Sequence, residues 1–175
     1  MQNPGVSIDQ AHADLVFGLV SALKPESVLE IGYGGGKSCD TILAANKANG
    51  LDVKYILVDN WCDWGGVRPE EAYRDDVTFV VMDEKSFSLT CGDTFDFIFS
   101  DGDHFHADEW FAHTYDNLLN PGGILVYHDV LNFPNLNTII NSCRDRSINH
   151  MVFYKNSHEY EACQRGLLVC YKPPM

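Results

Sequence analysis

No stretch of this chain constrains its fold more than Ser27-Val28-Leu29-Glu30-Ile31-Gly32-Tyr33-Gly34-Gly35-Gly36-Lys37-Ser38. A short apolar run ends in an acid, a glycine-dense turn follows, and a segment of helical character comes next. Glycines permit a tight turn and close approach of a ligand to the backbone, and the N-terminus of the following helix offers free N–H groups to a negative charge. A phosphate-binding P-loop would need its first glycine where Ile31 stands, although Gly36-Lys37-Ser38 matches its end. A dinucleotide fingerprint starts at Gly32 and Gly34 but meets Lys37 where its third glycine belongs. The pattern acid-x-Gly-x-Gly-x-Gly fits without a gap, through Glu30, Gly32, Gly34 and Gly36. The alternative is a plain structural turn, and the rest of the chain has to decide between them.

The 175 residues suit one domain with a sizeable core. No apolar run approaches the roughly 18–20 residues that span a membrane. The opening Met1-Gln2-Asn3-Pro4-Gly5 lacks the layout of a signal peptide. Six cysteines (Cys39, Cys62, Cys91, Cys143, Cys163 and Cys170) are scattered without a C-x-x-C pair, which reads as reduced thiols and a cytoplasmic setting. A net charge of −13 repels phosphate backbones, and no basic cluster reverses it locally. Nucleic acid is therefore disfavoured as a partner, and a neutral or cationic small molecule fits better.

Apolar periodicity predicts a helix over residues 7–23, with Ser7 as its N-cap. Strand-like and helical runs then alternate. Strands are expected at 28–31, 54–59, 77–82, 95–100 and 124–127, and helices at 38–49, 69–75, 107–119 and 135–146. Residues 151–154 and 166–171 read as two further strands, joined too briefly for a parallel crossover and so forming an antiparallel hairpin. This alternation predicts a single doubly wound α/β domain of Rossmann-like design, with a mostly parallel seven-stranded sheet and an antiparallel strand near the C-terminus.

Ligands of such sheets bind outside the carboxyl ends of the strands. Acids stand at the ends of the first five strands here: Glu30, Asp59, Asp83, Asp101 and Asp129. Any one of them can be a turn former or a helix cap. Five at one edge argue for a site.

With its loop, its strand order and two further segments, the chain resembles the class I S-adenosylmethionine-dependent methyltransferases. Phe95-Asp96-Phe97-Ile98-Phe99-Ser100-Asp101-Gly102-Asp103-His104 is similar to the fourth-strand motif of small-molecule O-methyltransferases. Pro121-Gly122-Gly123 with the following Tyr127-His128-Asp129 is similar to their fifth strand, in the manner of macrocin-type and catechol-type enzymes. The resemblance implies S-adenosyl-L-methionine held by Glu30, Gly32, Gly34 and Gly36, with Ser38 at the methionine carboxylate. It implies Asp59 on the ribose hydroxyls, Asp83 near the adenine, and Asp101 beside the sulfonium.

Methyl transfer displaces a neutral thioether in line, so the protein must align the two substrates and deprotonate a hydroxyl. His104, three residues beyond Asp101, is the expected base, since imidazole titrates near neutrality. Its plainer reading is a surface histidine capping a helix. Metal-dependent relatives imply a divalent ion on Asp101, His128 and Asp129. Mg²⁺ prefers oxygen ligands, and a histidine in the set suits Mn²⁺ or Fe²⁺ better. His128 can equally be a second base or a packing residue.

His106 and His113 read as solvated-face residues. Trp61 and Trp64, just after the ribose acid, read as an adenine stack, an acceptor wall or packing against the sheet. Only residues 1–26 precede the first strand and no long insertion follows, which leaves the acceptor site open or completed in a homodimer. Two rival functions remain. One is a degenerate cofactor-binding partner, and the other a nucleotide hydrolase with an imperfect P-loop.

Overall fold

Among the residues described by the computed structural model (8–61, 75–153 and 165–174), the expected alternation is realised as seven strands and five α-helices. The first half runs α1 (Gln10–Leu23), β1 (Ser27–Ile31), α2 (Lys37–Ala48), β2 (Lys54–Asp59), β3 (Thr78–Val81) and α3 (Glu84–Thr90). The second runs β4 (Phe95–Ser100), α4 (Ala107–His113), a π-helical turn (Thr114–Leu118), β5 (Leu119–His128), α5 (Pro134–Asp145), β6 (Asn149–Phe153) and β7 (Leu167–Tyr171).

The sheet order is β3-β2-β1-β4-β5-β7-β6. The first five of these pair in parallel, and β7 is antiparallel to both β5 and β6. The C-terminal hairpin thus forms as expected, with β7 inserted beside β5. Chain order reverses between β1 and β4, so the crevice lies at their carboxyl ends, where Glu30, Gly32 and Asp101 converge.

Several local expectations change. Asp9, not Ser7, caps α1, its carboxylate accepting from His12 N at 2.9 Å; Ser7 lies outside the described residues. The helix expected over 107–119 gives way to a π-helical turn, and β5 begins at Leu119 rather than at Ile124. Lys172 Nζ accounts for this, donating to the carbonyls of Tyr115, Asp116 and Leu119 at 3.0, 2.9 and 2.7 Å. Helix α3 was not expected, being too short for periodicity to reveal. The helix expected at 69–75 falls almost wholly outside the described residues.

Helices α1 and α2 cover one face of the sheet, and α3, α4 and α5 the other. Strand side chains alternate between these faces. Val28, Leu57, Phe97, Phe99 and Val126 pack under α1 and α2, while Leu29, Ile31, Ile98, Leu125 and Tyr127 pack under the opposite helices. Each such burial contributes roughly 1.5–3 kcal/mol. The same alternation decides where polar residues at the strand ends point, because the apolar residues pin the register. Cys39, Cys91, Cys143 and Cys170 are free thiols. Among the described residues, no helix is long and apolar enough to cross a membrane.

Candidate active site

The glycine loop leaves β1 with Gly32, Gly34 and Gly36 at φ of 88°, 51° and 79°. At Gly32 a side chain is excluded twice over: φ is left-handed, and a Cβ would come 2.4 Å from the Asp101 carbonyl oxygen. Asp59, at the end of β2, braces this loop. Its Oδ2 accepts from Tyr33 N at 2.7 Å and its Oδ1 from Trp61 N at 2.6 Å. Each oxygen keeps lone-pair capacity for a further donor. The N-terminus of α2, beginning after Gly36, has no side-chain cap.

Glu30 and Ser38 meet each other beneath the loop. Val28 faces α2, so two residues on Glu30 does as well, and it meets Ser38 there. Ser38 Oγ donates to Glu30 Oε1 at 2.5 Å, and Tyr55 Oη donates to Oε2. The serine proton is thereby used inside the protein, beneath the loop. Burial pushes Glu30 up to about 8, against the hydrogen bonds from Ser38 and Tyr55.

A carboxyl raised from 4.5 contributes stability that is fully present below that value and is lost as pH rises through about 8. Glu30→Gln keeps the shape without the titration. The melting temperature of the variant is therefore expected to fall less than that of the parent between about pH 4.5 and 8. Equal falls in thermal denaturation would mean that Glu30 is ionised throughout.

Across the crevice, Asp101, His104 and Asp129 bring one ligand atom each within 4.8 Å of one another. His104 Nε2 lies 3.2 Å from Asp101 Oδ1 and 3.5 Å from Asp129 Oδ2. Burial works against a charged His104, but hydrogen bonds and charge from Asp101 and Asp129 outweigh it and push the ring up to about 10. Burial likewise opposes the Asp101 anion, yet His128 and His104 hold it well below the usual carboxylate range. Asp129 takes a left-handed backbone at φ 58°, a strained conformation for a residue with a side chain. That turn lets consecutive residues His128 and Asp129 both reach toward Asp101. Arg165 Nε approaches Asp129 Oδ1 at 3.8 Å.

Among the described residues the ligand atoms that converge are those of Asp101, His104 and Asp129, and His128 stands behind them. Alternation along β5 is the reason: His128 follows Val126 onto the face under α1, where its side chain is fully buried. Its Nδ1 lies 3.2 Å from Asp101 Oδ1, and its Nε2 lies 3.1 Å from His12 Nδ1. Both nitrogens are committed to protein groups.

His12 and Glu84 were not anticipated. Burial and the neighbouring His128 push His12 down to about 4, so it is neutral. Glu84 is buried under the β4–α4 turn, where it accepts from Ser100 Oγ at 3.0 Å and from Asp103 N at 2.8 Å. Its position two turns of chain before β4 carries no motif; only Asp83, the adjoining helix cap, marks the spot.

Asp83 Oδ1 caps α3 through Ser86 N at 2.8 Å, the plainer of its two readings. Trp61 packs against Phe79 with ring centroids 5.9 Å apart, and Trp64 lies outside the described residues. His106 is exposed and pairs with Asp103, while His113 bonds Asn117. Beside His104 stands an aromatic wall. Phe133 stacks at 4.5 Å from its ring, and the exposed Phe105 packs on Phe133.

Comparison with known proteins agrees with this fold. A family described as "Methyltransferase domain" matches residues 29–130, more than half of the chain. No curated protein matches significantly. Among solved structures, the O-methyltransferase TomG from Streptomyces achromogenes, in complex with S-adenosylmethionine, is 17% identical with a TM-score of 0.76, covering 97% of this chain and 83% of its own. An O-methyltransferase from Bacillus cereus, in complex with S-adenosylhomocysteine, is 15% identical with a TM-score of 0.65, covering 97% and 84%. The methyltransferase PaMTH1 of Podospora anserina, bound to S-adenosylhomocysteine, is 14% identical with a TM-score of 0.69, covering 95% and 80%. At these identities the likeness is one of fold. Family and fold agree, and the chain belongs to the methyltransferase-domain family, within the class I fold of S-adenosylmethionine-dependent methyltransferases.

Proposed function

We propose that this protein transfers a methyl group from S-adenosylmethionine to a hydroxyl of a small, sugar-like acceptor. The observation that carries this reading is the contact between loop and acid cluster. Gly32 packs directly on the Asp101 carbonyl, so a donor held by the loop and an acceptor held by the cluster lie side by side. Asp59 has lone pairs for the two ribose hydroxyls, and the adenine would lie toward Asp83. Phe133 and Phe105 offer the acceptor an apolar wall beside His104.

Two carboxylates and one imidazole fit a borderline ion such as Mn²⁺ or Fe²⁺, held by Asp101, His104 and Asp129. Such an ion would lower the pKa of an acceptor hydroxyl. The chain's own contribution is positioning and charge. With no ion on its Nε2, His104 would instead be the group that takes the hydroxyl proton, and Asp101 and Asp129 would stabilise the resulting imidazolium; the two roles exclude each other. With His104 pushed up to about 10 it is protonated at neutral pH, so turnover by a free His104 base rises with pH toward that value.

Calorimetric titration with S-adenosylhomocysteine, with and without Mn²⁺, tests the reading. Micromolar binding is expected, weakened about 10- to 100-fold in Asp59→Ala through lost charge-assisted hydrogen bonds. No binding under either condition, beside a positive ATP or NAD control, would return the loop to another cofactor.

A further inference from the structure

We propose that His12, on the N-terminal helix, is a positioning residue of this site: its Nδ1 shares a hydrogen with His128 Nε2 and so commits His128 Nδ1–H to the Asp101 carboxylate. The inference rests on the proposed role of Asp101, but its geometry stands independently of that role.

The chain of contacts is short and dry. His12 Nδ1 and His128 Nε2 are 3.1 Å apart, and the two rings meet edge to face with centroids 5.1 Å apart. His128 Nδ1 then lies 3.2 Å from Asp101 Oδ1 and 3.4 Å from Asp129 Oδ1. His12 is 2% exposed and His128 1%, so solvent offers neither ring another partner.

Carboxylate oxygens accept and cannot donate, so the nitrogen of His128 that faces them carries a hydrogen. Its other nitrogen then needs a partner in an apolar interior, between α1 and the sheet. His12 supplies one. The remaining ring atom of His12, Nε2, has no hydrogen-bond partner. Only Nδ1 of His12 therefore has a ring nitrogen to share a hydrogen with, whichever of the two carries it.

Asp9 holds His12 from behind. Its Oδ1 caps α1 through His12 N at 2.9 Å, and its Oδ2 lies 3.4 Å from His12 Nδ1. The start of the N-terminal helix and the carboxylate of the site are therefore the two ends of one line: Asp9, His12, His128, Asp101. Without His12, a half-turn of the His128 ring would lose nothing on the α1 side, and the ring would no longer present one fixed nitrogen to Asp101.

The test combines nitrogen NMR of ¹⁵N-histidine-labelled protein with metal titration. In the parent protein, His128 Nδ1 is expected to be protonated, with a through-hydrogen-bond coupling between His12 Nδ1 and His128 Nε2. His12→Phe keeps a ring but no N–H. It is expected to weaken Mn²⁺ binding about 10- to 100-fold, as for loss of an outer-shell partner, with little change in S-adenosylhomocysteine affinity. His12→Asn, whose amide nitrogen can occupy the Nδ1 position, should restore most of the loss. A parent protein lacking the coupling, or carrying its His128 hydrogen on Nε2 alone, overturns the proposal. So does an Asn variant as weak as the Phe variant. Failure of the parent to bind Mn²⁺ or S-adenosylhomocysteine at all would count against the functional reading, and the coupling would still decide this one.

Discussion

Replacing Asp101 by asparagine is expected to weaken Mn²⁺ binding by at least about 100-fold and to release His104 from its raised titration. Asp101 Oδ1 is the oxygen that both imidazoles approach, each at 3.2 Å. An amide offers neither the charge nor a second equivalent oxygen, so the anion shared by the two rings disappears. His104 then keeps only Asp129, and its midpoint should move down from about 10 toward its ordinary value, read from its ring resonances. The stability consequence has a definite sign. A histidine raised in the fold contributes stability that is present below about 6.5 and lost as pH rises through about 10. The Asp101→Asn protein should therefore show a shallower decline in melting temperature across that window. A His104 that still titrates near 10 would mean that Asp129 alone holds its proton.

Gly32→Ala is the second change of large expected effect. Left-handed backbone costs a residue with a Cβ about 1–2 kcal/mol, and here the new atom also meets the Asp101 carbonyl at 2.4 Å. That neighbour is main chain where β1 and β4 end side by side, and it cannot swing aside as a flexible side chain would. Relief requires moving the loop away from the acid cluster. A loss of about 2–4 kcal/mol is expected, lowering the melting temperature by roughly 5–15 °C, with S-adenosylhomocysteine binding reduced by more than tenfold. Affinity within twofold of the parent would show that the loop and Asp101 need not touch for the cofactor to bind.

Much of the architecture was legible from periodicity and punctuation. The strands ending at Ile31, Asp59 and Ser100 stand where the apolar runs place them, and the C-terminal hairpin follows from a connection too short to cross over. Local errors arose where tertiary contacts override local pattern. The Lys172 amine gathers three carbonyls at the end of α4 from a residue far along the chain, and no window of sequence around Leu119 contains it. Helix α3 is short enough that only its Asp83 cap announces it.

The candidate site divides in the same way. Asp59, Asp101 and Asp129 are reached by asking which residue ends each strand, His104 by its place three residues beyond Asp101, and the glycine loop is visible as a pattern. Motif position put Glu30 and Ser38 on the cofactor, and left His128 as a metal ligand, a second base or a packing residue. Alternation instead turns Glu30 toward Ser38 and Tyr55, and His128 toward His12. For Glu30 that turn could have been read from Val28, had the covered face been known.

What the sequence by itself determined is local and periodic: which segments are strands, which turns demand glycine, and which residues stand at the carboxyl edge of the sheet. These depend on side-chain alternation and backbone freedom within a few residues. Which imidazole completes the acid cluster and which is buried behind it was decided only by tertiary structure. That choice depends on β1 lying beside β4, on α1 packing over the end of β5, and on a left-handed turn at Asp129. Each is a contact between distant parts of the chain, and hydrogen bonds of fixed reach then select among the several acids and histidines brought together.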